Sequence, residues 1–189
     1  ASDVYKRQDV TDLPPVIVTA SKSLETLSDQ LLAHVINWKL CHPRHVIQYF
    51  SDADCWNFID RYGTTDFRKA YCLIDPRFGP AKADLFRYLY LYVRGGTWLD
   101  LKSAWLNDNM YEERFPLPGI LMTNWGFNQQ AEEFNEFRCS YPIARRGEIQ
   151  NWHLSCKPRH PFVGQLLDQV VSEVIAEGEK ISRDSKPTY

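Results

Sequence analysis

The sequence predicts an α/β layer fold in which a mostly parallel sheet is flanked by helices. Two observations carry that prediction. Short β-branched runs alternate with longer stretches of helical apolar spacing, and 189 residues suit one substantial core. The first run, 16–19, follows Pro14-Pro15 and reads as a buried strand. Residues 27–40 read as a helix with Leu31, Val35 and Trp38 inward. It stops before Pro43, because the residue preceding a proline is pushed out of the helical region. Residues 45–50 alternate and are rich in β formers, which makes a second strand. Ser51 and Asp52 then cap a helix over 53–62 closed by Gly63, and 65–74 read as another helix. The strongest helical segment is 80–94, with Pro80 in its first turn and Gly95 just past its end. Residues 97–101 give a third strand and 120–123 a fourth. A last helix over 161–177 carries Val163, Leu167, Val170, Val171 and Val174 at amphipathic spacing.

Composition narrows the function classes. A net charge of −2 with acids and bases mixed along the chain gives no electrostatic argument for a nucleic-acid partner. Aromatic residues make up 14%, which fits a pocket that stacks rings or sugars and fits a plain core equally. The five cysteines form no CxxC pair, and an odd number argues against a complete disulfide framework, so they read as free thiols. No apolar run approaches the length of a membrane span. The polar opening ASDVYKRQ reads as a tail over 1–10, foreign to the fold or disordered, leaving 11–189 as a single domain. No G-x-G-x-x-G follows the first strand, where the chain reads PPVIVTASKS, which argues against a dinucleotide-dependent oxidoreductase. Neither Cys41, His42 and His45 nor His153, Cys156 and His160 supplies four zinc ligands at a recognised spacing. Trp105 and Trp125 suit stacking on a sugar or a place in the core. Arg145-Arg146 reads as a solvated loop.

The chemistry concentrates between residues 80 and 102. Helix 80–94 is apolar on nearly every face except at Asp84 and Arg87, which i,i+3 spacing sets side by side. Burying both charges costs several kcal/mol per ion, so the pair serves either a ligand or an internal salt bridge pinning helix to sheet. Gly95-Gly96 allows a tight reversal and the approach of a ligand. In the strand that follows, alternation sends Trp98, Asp100 and Lys102 one way and Thr97, Leu99 and Leu101 toward the core. An acid and a base therefore share the carboxyl end of a strand, the place where open α/β sheets bind ligands.

KADLFRYLYLYVRGGTWLDLKS resembles the signature of glycosyltransferases carrying the DXD sugar-binding region (family 32, the Och-type mannosyltransferases and bacterial capsular-polysaccharide enzymes). Their pattern runs approximately A-D-x-x-R-Y-x-x-L-Y-x-x-G-G-x-Y-x-D-x-D. The chain matches Ala83, Asp84, Arg87, Tyr88, Leu91, Tyr92, Gly95, Gly96 and Asp100, with Trp98 at the aromatic position. NWKLCHPRHVIQYFSDADCWNFI upstream and IQNWHLSCKPRHPFV downstream are similar to further family segments, the latter with an Asn before the last helix.

The resemblance implies a GT-A-like, Rossmann-type nucleotide-sugar-binding fold and a nucleotide diphosphate sugar as donor. It also implies a divalent cation, Mn²⁺ or Mg²⁺, and transfer with retention to a hydroxyl of a glycan, polysaccharide or glycolipid. Carried over by position, Asp84, Arg87, Trp98, Gly95, Gly96 and Thr19 hold the donor. Asp100 is the first acid of the motif and a metal ligand, and Asn151 lies near donor or acceptor. His153 beside it suits a proton shuttle or a structural place. The departure is Lys102, which stands where many members have the second acid. A protonated lysine cannot ligate a hard cation, so the ammonium either neutralises the diphosphate itself, or Asp100 keeps a weak metal site, or the chain binds donor without turnover. Domains of this family continue past the last long helix, so the chain reads as a C-terminally truncated fragment. Family members work on cytoplasmic membrane faces and in the Golgi lumen.

Overall fold

The computed structural model describes residues 13–103, 119–124 and 149–184. The tail 1–10, Trp105, Trp125, Cys139 and the Arg145-Arg146 pair lie outside them. Strand β1 (Val16–Ala20) leads into helix α1 (Asp29–Cys41) and then β2 (Val46–Phe50). Three helices follow, α2 (Asp52–Tyr62), α3 (Thr65–Leu73) and α4 (Gly79–Arg94), before β3 (Gly96–Leu99). Strands β4 (Ile120–Asn124) and β5 (Ile149–Cys156) precede the last helix, α5 (Pro161–Asp184).

Local chemistry explains the boundaries. Ser28 caps α1 by accepting from the Leu31 amide, and the helix ends at His42, ahead of Pro43. Ser51 and Asp54 form a reciprocal capping box at the start of α2. Thr64 caps α3 by accepting from Phe67. Helix α4 has no side-chain cap and relies on proline in its first turn.

The strands of the described sheet lie in the order β2-β1-β3-β5-β4. β1 is parallel to both β2 and β3, while β5 is antiparallel to both β3 and β4. Four of the five strands therefore run one way and β5 alone runs against them. The fold is a GT-A-like α/β arrangement with a mostly parallel, mixed sheet. Helices α2 to α5 cover one face, where Val18, Trp98, Leu154 and Cys156 meet Phe86, Leu89 and Val163. Helix α1 covers the other, where Trp38 packs on Ile17 and Leu99. The chain leaves β1 through α1 to reach β2, then returns through α4 to β3 on the opposite side of β1. That reversal of direction sits between β1 and β3, and in open α/β sheets ligands bind beyond the carboxyl ends of strands at such a point.

Strand β5 is the element the sequence did not predict. Its His153, Leu154, Ser155 and Cys156 are all buried, so both faces are covered and the apolar alternation of a half-buried strand is absent. Its polar side chains are used internally: Ser155 Oγ lies 2.8 Å from Thr97 Oγ1 across the β3–β5 pair. β3 is shorter than predicted, because after Asp100 the chain turns, with the Ser103 amide donating to the Asp100 carbonyl at 2.8 Å. Lys102 therefore lies in a turn, and strand alternation does not set its direction.

Gly95 and Gly96 make the predicted reversal between helix and strand. Both have positive φ, 67° and 99°; Gly95 caps α4 and Gly96 begins β3, at the end of the strand away from Asp100. A Cβ on Gly95 would stand 2.6 Å from Pro158 Cδ, and one on Gly96 would stand 2.9 Å from the Val16 carbonyl oxygen. They are glycines because the neighbouring backbone packs against them. No ligand approach is needed to explain them.

His153 supplies a pH dependence. Burial pushes its imidazole down from 6.5 to about 4. The folded state therefore holds it neutral while the unfolded chain protonates it below the ordinary value. Stability from this residue is complete above pH 6.5 and falls as the pH drops toward 4, by about 2 kcal/mol at pH 5. Urea unfolding at pH 7 and pH 5 checks this: His153→Gln loses less stability over that interval than the wild type by about that amount.

Candidate functional site

The site is built where α4, β3 and β5 converge at the carboxyl end of β3. Its base is Arg87, whose side chain is only 2% exposed. The guanidinium lies over the Trp98 ring, with its carbon 4.9 Å from the ring centroid. Arg87 Nη1 donates to the backbone carbonyl of Asn151 on β5. Arg87 Nη2 meets two carboxylates at once, Asp84 Oδ1 at 2.9 Å and Asp100 Oδ1 at 2.7 Å. Both of those side chains are 44% exposed. A buried cation thus sits beneath two acids that face outward.

Each acid is further oriented. Asp100 Oδ1 also accepts from the Trp98 indole N–H at 2.7 Å, and the Asp100 amide donates to the Trp152 carbonyl at 3.0 Å. Asp84 takes a hydrogen bond from the Asn151 side chain. Asn151 Oδ1 in turn accepts from the Tyr88 hydroxyl at 3.0 Å, which fixes the amide with its nitrogen toward Asp84. The outcome is one connected network: Tyr88, Asn151, Asp84, Arg87, Asp100 and Trp98. Burial raises the Asp84 carboxyl above its ordinary range and the nearby Asp100 charge adds to this, against the opposing pull of Arg87 and Asn151. Burial also raises the Tyr88 phenol, keeping it a hydrogen-bond donor at neutral pH.

The structure brings Asp84, Arg87, Trp98, Asp100 and Asn151 together, with Lys102 two residues further on in the turn. It does not bring Gly95 and Gly96 there, for the packing reason already given. Thr19 lies at the carboxyl end of β1 and is 1% exposed. Strand alternation places it on the same sheet face as Ile17, toward α1 and away from Arg87. Trp98 is 1% exposed, so it supports Arg87 and Asp100 from below rather than offering a stacking surface. Tyr88 is the participant to which sequence reasoning assigned no role. The available signal was its position four residues after Asp84, on the same helical face. His153 is buried on β5, beside Leu99 in register, as a structural residue.

Two hollows lie elsewhere. One of about 860 Å³ opens between α3, α4 and α5 over Phe67, Leu89, Tyr92 and Leu167. Another of about 520 Å³ lies beside Phe58, Tyr90 and Gly95. Neither includes any member of the network. Convergence of charged groups, rather than hollow size, marks the candidate site.

A divalent cation fits this donor set poorly. Asp100 Oδ1 already accepts from Arg87 and Trp98, and both carboxylates are neutralised in part by the same guanidinium. Two acids, Arg87 and Lys102 sum to no net charge, whereas a hard cation calls for an excess of anionic oxygen. Among the described residues no third acid, histidine or cysteine joins them to make a ligand group.

With this geometry in view, the comparisons are informative. The chain is 23% identical over 184 residues to the initiation-specific alpha-1,6-mannosyltransferase of Schizosaccharomyces pombe (strain 972 / ATCC 24843). The match covers 93% of this chain and 44% of that protein, so the chain spans less than half the length of this curated relative. A solved structure, PaToxG glycosyltransferase, superposes with a TM-score of 0.59 at 16% identity. That superposition covers 89% of this chain and 63% of the other. No family model matches the chain. The shared fold is that of a glycosyltransferase.

Arg87 generates a direct prediction. Replacing it with Met leaves two half-exposed acids facing each other without their cation, at a cost of about 1 to 3 kcal/mol. The facing carboxyls then bind protons more readily when folded than when unfolded, so the variant regains stability relative to wild type as the pH falls. Denaturant unfolding at pH 7 and pH 4.5 measures both effects.

Proposed function

We propose that this chain is the donor-binding part of a glycosyltransferase. In this reading a sugar passes from a nucleotide diphosphate sugar to the hydroxyl of a carbohydrate or lipid-linked acceptor, with retention at the anomeric carbon. The observation that carries the reading is the pair of outward carboxylates, Asp84 and Asp100, fixed on one buried guanidinium at the β1/β3 switch point. Pre-oriented carboxylates of this kind suit polar recognition of sugar and ribose hydroxyls, whose O–H groups they accept. Asn151, held by Tyr88 and Asp84, adds an amide to the same rim. The relationship to a mannosyltransferase supports a hexose as the transferred unit.

In the transfer itself, the acceptor oxygen bonds to the anomeric carbon as that carbon's bond to the phosphate oxygen breaks. The electron pair of the broken bond goes to the departing diphosphate, which takes up the acceptor's proton. Retention follows from attack on the face the leaving group vacates, with no side chain assigned as a covalent nucleophile. Arg87 and the carboxylates position the donor, and positive charge at Lys102 faces the developing negative charge of the leaving group. A second reading, binding without turnover, is favoured by a single observation: Lys102 stands where the resembled motif has an acid.

The test is calorimetric titration with GDP-mannose, UDP-glucose and UDP-N-acetylglucosamine, paired with an assay for nucleoside diphosphate release. At least one donor binds, and Asp84→Asn or Asp100→Asn weakens it by about tenfold. Release on adding acceptor supports the enzyme, and binding without release supports the silent module. Failure of every donor to bind the folded chain contradicts both readings.

A further inference from the structure

We infer that Lys102 carries the charge that a divalent cation would otherwise supply, so that the donor's diphosphate binds this site without metal. The inference rests on the donor-binding reading and adds what grips the phosphates. Three observations carry it. First, the acids of the site are already partly neutralised. Asp84 and Asp100 share Arg87 Nη2 at 2.9 and 2.7 Å, and Asp100 Oδ1 also holds the Trp98 indole N–H. A cation arriving there finds two carboxylates whose charge Arg87 already partly neutralises, with Oδ1 of each engaged and only Oδ2 left to it.

Second, the backbone carrying Lys102 is held. The turn closes with the Ser103 amide on the Asp100 carbonyl at 2.8 Å, and the Ser103 carbonyl accepts from the Trp38 indole of α1 at 2.7 Å. Trp38 itself is fully buried. The turn is thereby tied to the core on the α1 side while β3 and β5 hold it on the other.

Third, Lys102 is exposed and makes no ion pair among the described residues. An ammonium two residues beyond Asp100, in a turn pinned to the core, has no structural partner among the described residues. A lysine gives a compact charge with three donors and serves phosphate as a point cation. The arrangement divides the work: Asp84 and Asp100 take hydroxyls, and Lys102 takes the diphosphate.

The experiment titrates GDP-mannose, UDP-glucose and UDP-N-acetylglucosamine into wild type, Lys102→Ala and Lys102→Asp, in EDTA and in Mn²⁺, with thermal unfolding as the folding control. Lys102 is exposed, so both variants melt with wild type. The expected result is wild-type affinity that differs by less than about twofold between EDTA and Mn²⁺. Lys102→Ala loses about tenfold or more in EDTA. Lys102→Asp, which restores a second acid, binds donor only with Mn²⁺ and also binds Mn²⁺ alone, read by paramagnetic resonance. Wild-type binding that requires Mn²⁺, or EDTA affinity unchanged in Lys102→Ala, overturns the inference and leaves the donor-binding reading standing. Absence of donor binding in all three proteins under both conditions overturns the two together.

Discussion

One buried guanidinium organises the candidate site of this protein. Arg87 lies within the core on α4, almost without solvent contact, and a charge in such a place survives only with close partners. It takes them from three directions: Asp84 one turn back on its own helix, Asp100 past the end of β3, and the Asn151 carbonyl on β5. None of these contacts is local to all the others. They exist together only when helix, parallel strand and antiparallel strand are assembled, so the ion network is a product of the completed fold.

The surrounding packing reads as support for that cation. Trp98 fills the space below it, offering a ring face to the guanidinium and an indole N–H to Asp100. The positive-φ glycines at the start of β3 let that strand pack against Val16 and Pro158 at its other end, so the strand is seated before it reaches Asp100. Strand β5 then locks the edge through the Asp100 amide and the Thr97–Ser155 hydroxyl pair. Half-exposed carboxylates above a rigid base are a recognition surface with little freedom left to lose on binding, which is the physical basis for reading the site as a ligand grip.

Much of this was legible in the sequence, and the illegible parts have identifiable causes. Helix α4 announced itself through Pro80 and Gly95. The Asp84–Arg87 pair followed from i,i+3 spacing, and Asp100 from its place at a strand end. Of the two options that spacing left open, the internal bridge is observed, and the half exposure of the acids keeps them accessible for the ligand role we propose. Strand β5 escaped because both its faces are buried and one of them carries His153 and Ser155, polar residues inside the sheet, which erases the period-2 signal. The role of Asn151 depends on Tyr88 and Arg87, more than sixty residues away in sequence. Trp98 and Asp100 do share a face as alternation requires, yet α4 covers the tryptophan, and one strand's pattern cannot reveal which helix lies above it. Alternation failed for Lys102 because β3 ends at Leu99.

The central claim is that Asp84 and Asp100 act through one shared cation, and a double-mutant cycle in unfolding free energy measures it most directly. Asp84→Asn and Asp100→Asn each leave Arg87 one anionic partner, and each relieves repulsion between the acids. The double variant strands the buried guanidinium and recovers that relief only once. The account predicts that the double variant costs more than the two single variants together, by about 1 kcal/mol or more. Additivity within about 0.5 kcal/mol would contradict it, and would make the two carboxylates independent neighbours.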